Sequence, residues 1–425
     1  MSTAEVAGTD APAATAPGDL LISGLRRGAL LVFLPVFAAG QALAWLTYAA
    51  SQWYHPYSWF KIGLAETLSS VRAPFTASGH TVGPLFGSGG GPGRLVVATG
   101  ALTILVLVLS YRAGREQARA FERRPGAAAL AGSAVALGVA IPMFVIAFPV
   151  TLGFPQFGIQ RLEPVLWQAF VMPLVVCGVA GAAGGATVAR DVLEERVGSR
   201  VIGAVVGGAT AFWWGIVGAF LAVLLVGAIS PGPTGAYARF VSRTGGSGAA
   251  TVIEHASLLP NQSALILPVT MGTHATLSVA GEPAVVLSRT GVDASQGAGV
   301  LLAGLAGAMG FTASFPTWFW AFLLVPLIAT LLGGRAAAGQ ERSAGERVLR
   351  GAAGGVVFAI LCAVAAWAAG IELPAWAGIT NGDATFGVPV LATGGLALAW
   401  GVLGGAIGAV LPWPTRVSAG SGTPR

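Results

Sequence analysis

Apolar residues run along this chain in eight long stretches, each separated from the next by polar residues. The stretches lie at about 28–49, 95–111, 127–153, 166–189, 201–229, 316–333, 351–371 and 389–411. A membrane-crossing helix needs roughly 20 mostly apolar residues, and only 95–111 and 316–333 fall short of that. Hydrocarbon offers the backbone no hydrogen-bond partner, so runs of this length are expected to be helices. The pattern predicts an all-α polytopic membrane protein of about eight transmembrane helices.

Two gaps are long enough to hold structure of their own. Residues 50–94 open on Trp53, Tyr54, Tyr57, Trp59 and Phe60, an aromatic density typical of the membrane interface. The following 60–75 reads as an amphipathic segment lying on the membrane surface, and Gly87 to Gly93 as a hinge. Residues 230–315 form the larger insert. Within it Ser263–Thr270, His274–Val279 and Ala284–Ser288 read as short β-runs bounded by Pro and Gly. Asn261 and Ser263 suit a turn. The apolar stretch 297–311 is short for a span and suits a re-entrant or interfacial segment; as a ninth span it would put the C-terminus outside.

Composition sharpens the class. Hydrophobic residues make up 55% and charged residues 9%, with mean hydropathy +0.76; a soluble domain carries roughly 25% charge. Of 23 basic residues only Lys61 is lysine, which together with 63 glycines points to a GC-rich bacterial genome. Sixteen basic residues fall at the N-terminal flank, in the gaps after spans two, four and six, and after span eight. The other seven are Lys61, Arg72, Arg94, Arg161, Arg239, Arg243 and Arg289. The positive-inside bias places both termini in the cytoplasm and the chain in the bacterial inner membrane. The basic loops carry no interleaved aromatics, which argues against nucleic acid as a partner. The lipid bilayer is the expected partner, with the outer insert as a contact surface for an extracytoplasmic protein or small-molecule ligand.

The expected organisation is a disordered cytoplasmic tail at 1–24, a first four-helix unit at 25–190, a second at 191–412 containing the insert, and a tail at 413–425. Arg26-Arg27 ahead of an apolar run also resembles a twin-arginine signal, but the run is long enough to span. The two units match at an offset of 223 residues without gaps. Arg112-Ala113 matches Arg335-Ala336, Arg119 matches Arg342, Arg124 matches Arg347, and Gly178-Val179 matches Gly401-Val402. Four spans per unit make the two repeats parallel, related by an axis along the membrane normal. Small residues recur on spans four and eight at Gly178, Gly181 and Gly185 and at Gly401, Gly404 and Gly408. Such residues let helix backbones approach, and these stretches are expected where the two units meet.

Candidate chemistry is sparse. No Asp, Glu, Lys, Arg or His lies well inside a span, which argues against a proton-coupled carrier. Gln41 and Gln168 read as interhelical hydrogen bonds, and the span prolines as kinks. Neither Cys177 nor Cys362 has a metal-binding or redox spacing. No HExxH, CxxC, Walker, nucleophile-elbow or dinucleotide pattern occurs, so no catalytic, cofactor or metal residue is assigned. The four histidines, His55, His80, His255 and His274, all fall on the outer side. The candidate outer polar patch is Glu254, His255, Asn261 and Gln262.

The segment Leu109-Ser110-Tyr111-Arg112-Ala113-Gly114-Arg115, with its alanine-rich continuation, resembles the streptophobe-type integral membrane proteins of actinobacteria. The resemblance implies a glycine- and alanine-rich multi-span protein of unknown activity and brings no catalytic residues with it. The expected role is a non-enzymatic accessory or structural membrane component. The alternative is a carrier for a neutral or apolar small molecule at the interface between the repeats.

Overall fold

The computed structural model describes residues 17–50, 58–78, 81–83, 87–89, 93–154, 159–229, 248–279, 282–287, 317–339, 341, 343–373 and 384–412. The first helix, α1 (Pro17–Arg27), passes through a π-helical stretch at Gly28–Phe33 into α2 (Leu34–Ala50). Pro35 explains the stretch: it has no N–H to give the preceding turn, and a widened turn absorbs the fault. Then come α3 (Trp59–Ser69), α4 (Gly100–Ala118), α5 (Pro125–Ser133), α6 (Val135–Ala147), α7 (Leu166–Val188) and α8 (Arg190–Val197). The chain continues with α9 (Ser199–Ile229), α10 (Gly248–Met271), α11 (Leu324–Ala338), α12 (Ala344–Ala369) and α13 (Val390–Val410).

Among the described residues seven helical stretches are long and apolar enough to cross a membrane: Gly18–Ala49, Pro125–Ala147, Leu166–Val188, Ser199–Ala222, Trp320–Ala338, Ala344–Ala369 and Val390–Val410. The eighth expected span falls in α4, whose last two turns carry Arg112, Arg115, Glu116 and Gln117. Large apolar side chains cover the outside of the bundle. Leu391 is 91% exposed, Val179 68% and Trp213 64%. Water would not tolerate so much contiguous apolar surface, whereas lipid does.

The helices form two groups. In the first, α4, α5 and α6 pack on α7, while α1 and the π-helical stretch pack on α6 and α4. In the second, α9, α11, α12 and α13 pack on one another. Each group carries a four-stranded antiparallel sheet at one end. The first sheet runs β4 (Gly93–Leu95), β1 (Phe75–Ser78), β6 (Ile159–Pro164), β5 (Leu152–Phe154). The second runs β8 (Glu282–Leu287), β7 (Ala275–Val279), β10 (Ala384–Gly387), β9 (Ile371–Leu373). In both, the strand before the last helix of the group pairs with a strand that follows an earlier helix, α3 in the first group and α10 in the second: Phe75 faces Pro164, and Thr276 faces Gly387. A separate two-stranded ribbon joins β2 (Thr81–Gly83) to β3 (Gly87–Gly89).

Several expectations are corrected. Residues 17–24 of the expected tail are helical, and 1–16 and 413–425 lie outside the described residues. The segment Ser263–Thr270 is not a β-run but part of α10, and the turn expected at Asn261 and Ser263 is its interior. Ser263 returns its hydroxyl to the Leu259 carbonyl and Asn261 Nδ2 donates to the Ala98 carbonyl, so both side chains form hydrogen bonds without leaving the helix. The other two β-runs are β7 and β8. The segment 60–75 does not lie on the surface; Ile62, Leu64, Thr67 and Leu68 of α3 are buried, and α3 packs on α2. Strands β3 and β4 take up both ends of the expected hinge, and β5, β6, β9 and β10 lie between or at the edges of the apolar runs. The insert is tied to the rest of the second group, because β7 pairs with β10, which comes from beyond it. The segment 297–311 lies outside the described residues.

Candidate functional site

The two groups meet through α10, which packs on α9 and α12 on one side and on α4 and α2 on the other. Asn261 sits at the crossing, 8% exposed. Its Nδ2 donates to the Ala98 carbonyl at 2.8 Å, just ahead of α4. Its Oδ1 lies over Gly100, the first residue of α4, where no side chain would fit, and has no hydrogen-bond partner. Beside it the Thr99 hydroxyl donates to the Glu66 carboxylate at 2.5 Å. A carboxylate near a helix N-terminus is favourably placed against the helix dipole.

The sheets form the second part of the joint. Val96, one residue past β4, exchanges two main-chain hydrogen bonds with Glu372 of β9, at 2.9 and 3.0 Å. Arg72 closes the gap behind them. It follows α3 with φ of 58°, the left-handed conformation that lets Ala73 N–H reach the Leu68 carbonyl and end the helix. From there its guanidinium lies 4.3 Å from the Trp367 ring centroid, and Nη2 donates to the Gly370 carbonyl at 3.1 Å. Arg72 is buried, and its Nε has no partner. Burial pulls its pKa below the ordinary arginine value, while the Glu372 carboxylate acts in the opposite sense and Arg94 adds to the fall. Arg94 itself donates to Gln168 Oε1 at 3.0 Å and lies 3.7 Å from Glu372.

The expected patch is spread along one helix. Glu254, His255, Asn261 and Gln262 all belong to α10, with Asn261 buried and Gln262 half-buried. His274 is half-buried between α10 and β7, while His55 and His80 lie outside the described residues. Among the described residues no three His, Cys, Asp or Glu side chains come together as a metal set. Cys177 and Cys362 are free, buried thiols in separate cores. Gln41 bonds from α2 to the Phe60 carbonyl at 3.4 Å, and Gln168 bonds at the end of α7 as given above.

The helix-packing glycines serve their own groups, not the joint. A methyl group on Gly181 would strike the Gly132 carbonyl of α5, and one on Gly185 the Ala128 carbonyl. On α13, Gly401 meets Gly355 of α12, Gly404 meets Thr330 of α11, and Gly408 meets Leu331. Gly178 has room: a Cβ there would lie 3.6 Å from that of Ala136. The expectation that these stretches join the two units is therefore corrected. The residues that do join them, Arg72, Trp367 and Glu372, read in the sequence only as an outer-side charge, a span aromatic and a loop acid. No local pattern pairs positions so far apart. The joint assembles hydrogen bonds and a buried cation, all directed between protein groups.

Comparison of the chain with known protein families, with characterised proteins and with solved structures finds no match.

Proposed function

We propose that this protein is a non-enzymatic accessory or structural component of the bacterial inner membrane. In this reading it is a fixed eight-span scaffold, α4 being the eighth span, with both termini cytoplasmic. The observation that carries the reading is the joint itself. Moving one helix group against the other would break the Val96–Glu372 main-chain pair and expose the buried Arg72 guanidinium. Each group would lose hydrogen bonds worth about 1 kcal/mol apiece, and more where a charged partner is left buried. A carrier that works by rocking two halves needs such contacts to be exchanged on each cycle.

Two parallel repeats belong to the same proposal. The matching strand orders and the matching place of each sheet among the helices support them. The cytoplasmic side is supported by the basic bias and by the clustering of Arg200, Glu346, Arg350 and Glu341 at one end of the second group. The outer sheets are the surface offered to an extracytoplasmic partner. The weak likeness to streptophobe-type proteins agrees with this layout.

Spin labels test the fixed joint. They would be placed at Glu122→Cys and Ser343→Cys, after replacing Cys177 and Cys362 by alanine, in lipid nanodiscs. One narrow distance distribution is expected. Two exchanging populations would overturn the scaffold in favour of the carrier. The sidedness has its own test: an impermeant maleimide added to intact cells should label Gln160→Cys and spare Ser343→Cys.

A further inference from the structure

The inner ends of the two groups handle their arginines differently. In the second group two of them are paired internally: Arg200 with Glu346 at 2.6 Å, and Arg350 with Glu341 at 2.9 Å and with Glu346 at 3.3 Å, while Arg347 forms no ion pair among the described residues. In the first group Arg112, Arg115 and Arg119 are exposed, and none forms an ion pair among the described residues. The nearest acids in sequence, Glu116 and Glu122, are exposed too and do not close on them.

Their placement is directional. At 100° per residue, positions 101, 104, 108, 112, 115 and 119 fall within about 80° of one another around α4 and the turn that extends it. All six are exposed, Ile104 by 47% and Val108 by 43%. So one continuous stripe begins as apolar surface and ends in three arginines spread over about 10 Å. The second group breaks the same stripe. Arg335 stands where Arg112 does, but three residues on is Ala338, which is buried, and Gly339 ends the helix with φ of 55°.

We propose that this stripe of α4 binds an anionic glycerophospholipid. An acyl chain would lie along Ala101, Ile104 and Val108, and the phosphate would meet Arg112, Arg115 and Arg119. The charge is complementary and unspent, and the apolar segment leads the lipid to it. Arginine presents a fork of donors that fits phosphate oxygens. The inference rests on the membrane-spanning reading of α4, but not on which side faces the cytoplasm.

The test uses the full chain in nanodiscs of phosphatidylcholine with a minor fraction of phosphatidylglycerol, followed by native mass spectrometry of the retained lipids. Phosphatidylglycerol should be retained in preference to phosphatidylcholine, by about fivefold for each arginine engaged. The triple variant Arg112→Gln/Arg115→Gln/Arg119→Gln should fall to parity, while the corresponding triple lysine variant keeps most of the preference. Arg190→Gln/Arg196→Gln on α8, where Asp191, Glu194 and Glu195 stand beside the arginines, should change little. Parity in the parent, or an unchanged preference in the glutamine triple, would overturn the proposal. So would displacement by excess soluble glycerophosphate, which would mark a free-phosphate site. A chain that never enters the bilayer would bring down the spanning reading and this one with it.

Discussion

The two helix groups use the same small residues against different partners. In the first group Gly132 meets Gly181, and Ala128 meets Gly185; in the second Gly355 meets Gly401, and Gly351 meets Gly405. Gly132 and Gly355 are 223 positions apart, as the sequence match requires, but Gly181 and Gly401 are 220 apart. The last helix of the second group has therefore slipped by three residues, nearly one turn, against its neighbour. The difference teaches why glycine stripes are poor markers of register. Small residues at 178, 181, 184 and 185, and at 401, 404, 405 and 408, recur every three or four positions. A helix that slides by one turn finds another glycine, so neighbouring registers have similar close-packing energies. Larger side chains and the sheet above must choose between them.

The slip is the sharpest thing to break. Gly401→Leu should be severe, because the backbone of Gly355 occupies the space, whereas its 223-position counterpart Gly178→Leu should be mild. Overpacking costs about 1–3 kcal/mol, a large part of a marginal stability. Melting of the detergent-solubilised variants reads the contrast directly. Equal losses at both positions would restore the ungapped register and remove the slip.

The joint between the groups comes next. Arg72→Ala removes a charge-assisted hydrogen bond and a cation–π contact, with an expected loss of about 2 kcal/mol. Arg72→Gly should lose about 1 kcal/mol less, because glycine takes the left-handed backbone without strain. Chemical denaturation would order the two. If alanine proves the milder of the pair, the helix end does not depend on that conformation.

A smaller effect is expected at α10. Asn261→Ala deletes the bond to Ala98 and should cost about 1 kcal/mol, with faster hydrogen exchange at the start of α4. An unchanged exchange rate there would mean that α10 does not hold α4 in place. The least change is expected from Glu372→Gln. Its contact with Arg94 is partly exposed, so under 1 kcal/mol is at stake, and high salt should erase the difference. A large, salt-independent loss would show that the main-chain pair with Val96 needs the charge.

Much of the helical architecture was legible in the sequence. Seven of the eight apolar runs coincide with helices able to cross a membrane, because lipid makes each span satisfy its own backbone and the requirement is written locally. The sheets were only half legible. β7 and β8 read as strands, whereas β5, β9 and β10 are only three or four residues long, and β6 carries Gln160, Arg161 and Glu163 among its six residues, too polar to stand out. Asn261 and Ser263 misled in the other direction, since their side chains bond to the Ala98 and Leu259 carbonyls and leave the helix unbroken.

By itself the sequence determined that the chain is helical and apolar, and which residues are small enough for helices to touch. Only the tertiary structure decided which glycine meets which, that α10 lies between the groups, and that Arg72 reaches a carbonyl 298 positions away. The physical reason is the range of each constraint. Solvation and helix hydrogen bonding act within a few residues, so composition and spacing record them. Register and joints depend on surfaces brought together from distant parts of the chain, and no single stretch carries their pattern.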